Sequence, residues 1–240
     1  MNDICKSTNQ EKNFNNFDFN KVDKGTVAID KWCSSSKDFE AYKRYTQNSF
    51  FEQINGALRS GLTDDYFVLN DIECLDRIFK TMPDEATPKE DMVVYRGTYL
   101  SKDLKDIIDG KSSTDIFVEK GFASTSKSKN VAKSFAYAEN PDKILLKITI
   151  PKGSKVIDDE ELPSYARSKM QAEQEVLIPR NAQFKILSYN PRTKTADAIY
   201  LGQKYPLKMP EVIKVSGADI LSNINKIMVN KEFDFKKLNL

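Results

Sequence analysis

Glu173-Gln174-Glu175 stands directly before the apolar run Val176-Leu177-Ile178-Pro179. In extended backbone, residues i and i+2 project to the same side, so both carboxylates can face one cleft. Like charges this close resist joint ionisation, and the pKa of one is expected to rise. Such a pair gives a site one carboxylate for charge stabilisation and another for proton handling. The same spacing also occurs on solvated strand edges, so the pair gains weight only from what accompanies it.

Two other segments accompany it. In Val93-Val94-Tyr95-Arg96-Gly97-Thr98, strand-forming residues lead into an arginine and a glycine. An arginine at the end of a buried strand needs an anion, and its fork suits a phosphate or a carboxylate bidentately. Gly97 allows close approach to the backbone. A structural Arg96–carboxylate pair is the alternative. In Gly121-Phe122-Ala123-Ser124-Thr125-Ser126, apolar residues are followed by three hydroxyls. These either hydrogen-bond their own loop or orient a carboxylate from a neighbouring strand. Asn130 is expected to cap a helix from Val131, with Val131, Ala132, Phe135, Ala136 and Ala138 on its apolar face.

In chain order these are Arg96, Ser124-Thr125-Ser126 and Glu173-x-Glu175. The pattern resembles the Arg / Ser-Thr-Ser / Glu-x-Glu class of mono-ADP-ribosyltransferases. This is the cholera-toxin-like group, which includes bacterial exotoxins and the enzymatic components of actin-modifying binary toxins. The flanks Tyr95-Arg96-Gly97, Gly121-Phe122-Ala123 and Val176-Leu177-Ile178-Pro179-Arg180 agree, as does a first helix carrying Tyr45-Thr46, Ile54-Asn55 and Leu58-Arg59. The resemblance spans about residues 38 to 205.

It implies an α+β fold in which N-terminal helices pack on a two-sheet β core that forms a cleft for NAD, the substrate. It implies cleavage of the nicotinamide–ribose bond and transfer of ADP-ribose to a protein side chain. Glu175 matches the position that contacts the nicotinamide ribose, with Ser124 holding its carboxylate and Thr125 and Ser126 supporting the strand and the pocket. Arg96 is expected to bind the NAD diphosphate, and the Gly97 backbone to meet the nicotinamide amide. Phe135 matches an aromatic that stacks near nicotinamide; an ordinary core position is its alternative. Related sequences often carry an arginine in the following loop. Here that loop reads Asn140-Pro141-Asp142-Lys143, and Lys143 could serve as a point charge. Glu173, where relatives that modify asparagine have glutamine, implies arginine as acceptor, and Tyr165 is placed to touch the target. Actin or another host protein is a candidate target, a separate delivery partner is possible, and the site of action is the cytosol of a host cell. An NAD glycohydrolase, or a silent binding module on the same fold, are the competing readings.

Composition sets the limits. The 240 residues suit one domain, and 40% are apolar, enough for a core. Charge is nearly balanced at +2, which gives no general argument for nucleic acid or membrane. Cys5, Cys33 and Cys74 have no metal-type spacing and do not suggest a disulfide framework. There is no histidine, which removes Ser-His-Asp triads, His-ligated zinc and the His-Tyr-Glu branch of the same enzyme class. Proton transfer falls to carboxylates, tyrosines or lysines. No run approaches a membrane span, and the N-terminus has no apolar signal core.

The elements that must position these residues follow from periodicity. Residues 1–25 read as a polar, loosely docked arm, 26–205 as the catalytic domain, and 206–240 as an extension with an amphipathic helix over 218–228. Helices are expected over 38–59, ending at Gly61, over 66–82, and from Ser101 to Gly110. Strands are expected over 144–150, 155–157, 176–178, 183–187 and 198–201, with an irregular loop over 158–171. Helices first and strands later argue α+β.

Overall fold

A computed structural model describes residues 24–34, 36–47, 50–136 and 140–213. Among the described residues six α-helices are formed: α1 (Lys24–Cys33), α2 (Ser36–Tyr45), α3 (Phe50–Ser60), α4 (Tyr66–Thr81), α5 (Lys102–Ile108) and α6 (Lys129–Ser134). The strands are β1 (Leu62–Thr63), β2 (Met92–Tyr99), β3 (Ile116–Glu119), β4 (Ala123–Ser126), β5 (Lys143–Ile150), β6 (Ile157–Asp158), β7 (Glu175–Ile178), β8 (Ala182–Asn190), β9 (Thr195–Gln203) and β10 (Glu211–Val212). The α+β expectation holds.

Several boundaries differ from the periodicity reading. The helix expected over 38–59 is two helices, α2 and α3; just past the end of α2 the Thr46 hydroxyl turns back and donates to the Lys43 carbonyl at 3.0 Å. Ser128, not Asn130, caps α6, accepting from the Val131 N–H at 3.4 Å. Residues 24 and 25 belong to α1 rather than to an arm, and α1 carries Trp32 into the core, where its Nε1–H donates to the Ile78 carbonyl at 3.1 Å. Asp65 caps α4 by accepting from the Phe67 N–H at 2.7 Å. The rest of the arm, and the amphipathic helix expected over 218–228, lie outside the described residues.

Eight strands form one ladder in the order β3-β8-β9-β5-β2-β4-β7-β6. The expected two sheets are two halves of this ladder. β2 and β5 pair along their whole length, Met92↔Ile150 to Tyr99↔Lys143, whereas β2 and β4 meet at the single register Tyr95↔Ser126. The ladder therefore splits between β2 and β4, just where the Arg96 and Ser124 strands diverge. Two hydrophobic cores pack against the ladder. Helices α1–α4 pack Trp32, Phe39, Tyr42, Tyr45, Ile72, Leu75 and Phe79 over Phe122 and Leu177. Val94, Phe117, Ile148, Phe184 and Ala198 form the second core together with Ala123 of β4 and Val176 and Ile178 of β7, so this core spans the split.

Candidate active site

Arg96 sits on β2 and Ser124 on β4, and they meet across the split: the Arg96 Nη1–H donates to the Ser124 carbonyl at 2.8 Å. Glu175 opens β7 opposite Ser126 and is 5% exposed. Burial pushes its pKa up to about 7. A hydrogen bond with Ser124 and the Arg96 charge pull it down, while Glu173 and Asp159 push it up. Glu173 is half-buried at the rim, and burial raises its pKa too. The structure thus brings Arg96, Ser124, Glu173 and Glu175 to one place.

The backbone between the two glutamates is not the extended segment expected from the spacing. Glu173 ends a 3₁₀ turn, Gln174 is left-handed (φ 48°, ψ 49°), and only Glu175 enters the strand. The i, i+2 argument therefore does not explain the shared location; a kink at Gln174 does. An unbranched polar side chain tolerates this region better than a branched one, yet it remains uncommon for any residue other than glycine.

The hydroxyls divide their work. Ser124 is half-buried and within 3.4 Å of the Tyr45 hydroxyl. The Thr125 hydroxyl donates to the Val176 carbonyl at 2.5 Å, and the Ser126 hydroxyl donates to the Glu173 carbonyl at 2.6 Å. Both are buried and act on the β7 backbone and the turn before it. Gly97 has a packing reason as well: a Cβ there would run into the carbonyl oxygen of Ala132 in α6. Phe135 is 49% exposed at the C-terminus of α6, so it is not the core residue of the alternative reading. Lys143 opens β5 opposite Tyr99. Tyr165 is exposed, with its hydroxyl 3.2 Å from Asp30 Oδ1 in α1.

Sequence reasoning missed Glu119. It ends β3, and its Oε1 lies 3.1 Å from Arg59 Nε and accepts from the Gly121 N–H at 3.0 Å. Its Oε2 lies 3.5 Å from Arg96 Nη2. Burial pushes this carboxyl up, but Arg96, Arg59 and the Gly121 N–H more than offset that and hold it below the ordinary value. Part of the alternative reading for Arg96, a structural carboxylate partner, is therefore also present. No local signal marks Glu119, since its two arginine partners are contributed by α3 and β2. Asn55, noted only as part of a helix pattern, clamps the Ser124 strand. Its Oδ1 accepts from the Phe122 N–H at 2.8 Å, and its Nδ2 donates to the Phe122 carbonyl (3.1 Å) and to the Tyr45 hydroxyl (3.0 Å). Gly121 leaves the room this amide needs. Two surface cavities of ≈ 310 and ≈ 570 Å³ lie elsewhere and share none of these side chains.

The fold is shared with solved bacterial proteins. An ADP-ribosyltransferase from Clostridium botulinum is 21% identical, with 73% of this chain and 92% of that chain covered and a TM-score of 0.53. A protein from S. aureus, solved with NAD, is 24% identical, covering 74% and 92%, at 0.51. Exoenzyme S from Pseudomonas aeruginosa, solved with human 14-3-3 protein beta and bound to carba-NAD, is 16% identical, covering 73% and 82%, at 0.54. No curated protein sequence matches the chain. The model of the ADP-ribosyltransferase exoenzyme family matches residues 12–234, and the chain belongs to that family.

Proposed function

We propose that the protein is an arginine-specific mono-ADP-ribosyltransferase that uses NAD and acts as a toxin on a protein of a host cell. The observation that carries this reading is the placement of Glu175: buried, hydrogen-bonded with Ser124, across the ladder split from Arg96, with Glu173 at the rim. The S. aureus protein and exoenzyme S, which share the fold, were solved with NAD and carba-NAD, and this supports NAD as the substrate here. The nature of the target and the route by which it is reached rest on family membership, and actin is one candidate.

In the reaction, the bond between the nicotinamide nitrogen and ribose C1′ breaks, with its electron pair leaving on nicotinamide. The ribose passes through an oxocarbenium-like state, as in glycoside cleavage. An ionised Glu175 beside that cation stabilises it, a preorganised charge worth roughly 3 kcal/mol. Arg96 binds the diphosphate, the Gly97 backbone meets the nicotinamide amide, and Phe135 stacks near the ring from its exposed position. Thr125 and Ser126 serve this site through the β7 backbone. The acceptor guanidinium is a poor nucleophile because it is permanently protonated. Glu173 orients it and takes the proton as its nitrogen bonds to C1′; a carboxyl with a raised pKa is a suitable base for that step.

The test is incubation with NAD and agmatine, followed by mass spectrometry for nicotinamide and ADP-ribosyl-agmatine. Both products are expected, and neither with Glu175→Ala. Nicotinamide alone would replace this reading with a glycohydrolase or a non-arginine acceptor. No NAD turnover would overturn it in favour of a silent module.

A further inference from the structure

The turn that delivers Glu173 is held from outside the site by side chains with no part in the chemistry above. Lys127 directly follows the three hydroxyl residues. Its Nζ lies 2.7 Å from Asp158 Oδ2 in β6 and 2.8 Å from Glu160 Oε2. The other oxygen of Glu160 accepts from Gln174 Nε2 at 3.3 Å. The Lys127 backbone N–H donates to the Gln174 carbonyl at 3.1 Å. Gln174 is the left-handed residue whose kink decides where Glu173 points. A chain of contacts thus runs Lys127–Glu160–Gln174 and closes on the turn between the two glutamates. Glu175 is fixed separately, by strand pairing of β7 with β4 and by Ser124.

We propose that Lys127 and Glu160, acting through Gln174, are positioning residues for Glu173 and set how ADP-ribose is divided between an arginine acceptor and water. This inference rests on the transferase reading. If the latch loosens, Glu175 still supports nicotinamide loss, but the proton acceptor for the guanidinium is no longer held in place. Water, which needs no such orientation, then captures a larger share of the ribosyl cation. The bonds formed are C1′–N of the guanidine in one case and C1′–O in the other, with the proton going to Glu173 or to solvent.

The experiment measures two rates in the full chain: nicotinamide release without acceptor, and ADP-ribosyl-agmatine formation at saturating NAD. Lys127→Met and Glu160→Gln are expected to lower transfer roughly fivefold, the scale of one partly exposed ion pair, while hydrolysis changes less than about twofold. Lys127→Arg should restore transfer, and the Lys127→Met/Glu160→Gln double variant should lose little more than either single one. Gln174→Gly, which keeps the left-handed backbone and removes only the bond to Glu160, gives the same readout if the charge variants do not fold. Parallel loss of both activities, or no change in their ratio, would overturn the latch while leaving the transferase reading intact. A wild-type protein that turns over no NAD, or that never labels agmatine, would remove the parent reading and the latch together.

Discussion

Glu175 and Glu119 are the same residue type, both largely buried, on either side of Arg96, and they are driven in opposite directions. Glu119 faces two arginines and a backbone N–H and is held below the ordinary carboxylate range. Burial, with Glu173 and Asp159 nearby, pushes the Glu175 pKa up to about 7 against the Ser124 hydrogen bond and the Arg96 charge. Burial penalises both, so the neighbours decide the sign. The Glu119 end is thus a satisfied ion network, 3.1 Å and 3.5 Å from its two arginines. The Glu175 end carries an acid whose ionisation is costly until a cation arrives. Pairing stabilises the Glu119 end, while the strain at the Glu175 end suits the catalytic role proposed for it above, a division expected where function and stability compete.

The sharpest way to break this comparison is Glu175→Gln. NAD turnover should fall by about 10²- to 10³-fold, on the scale of losing a preorganised charge in a dry site. The same change should stabilise the fold at pH 8. A carboxyl whose folded pKa is raised contributes stability below the ordinary carboxylate pKa and loses it as pH rises through about 7. Replacing it should therefore raise urea-unfolding stability by roughly 2–3 kcal/mol at pH 8 and leave it little changed at pH 4. A loss of stability at pH 8 would show that Glu175 is not under this strain.

At the other end, Arg96→Lys removes the bidentate fork but keeps the charge. kcat/KM for NAD should drop about 10- to 100-fold, mostly through KM. Steady-state kinetics at fixed ionic strength check it, and a pure kcat effect would place Arg96 at the reacting centre instead. Glu119→Gln should lower stability by about 1–3 kcal/mol, because Arg96 loses a buried partner. With its pKa already below the ordinary range, that loss should be constant from pH 6 to pH 8, unlike the Glu175 effect. The mildest test is the pH profile of the unaltered protein. kcat/KM for NAD should rise toward a plateau with its midpoint near pH 7, since that ratio reports the free enzyme.

Much of the candidate site was legible before folding because its parts are local. Arg96-Gly97 needs a strand and an anion, Ser124-Thr125-Ser126 needs an adjoining strand, and each supplies its own periodicity. The two four-residue strands β4 and β7 were readable for the same reason. Other features depended on contacts that span the chain. Glu119 is 60 residues from Arg59, and no window of sequence joins them. The partners of Thr125 and Ser126 were out of local reach for a similar reason: backbone carbonyls 51 and 47 residues away take their hydroxyls.

The sequence by itself determined which chemical groups are available and in what order. It has no histidine, it has two glutamates ahead of an apolar strand, and it has an arginine that requires an anion. Residue types fix hydrogen-bonding capacity and backbone preference, and these act over a few residues. Only the tertiary structure decided that the ladder splits between β2 and β4, that Gln174 kinks the chain, and that Glu119 pairs with two arginines while Glu175, among the described residues, forms no ion pair. Those outcomes are set by desolvation and by distances between charges. Both depend on which distant segments come to lie around a side chain rather than on the residue itself.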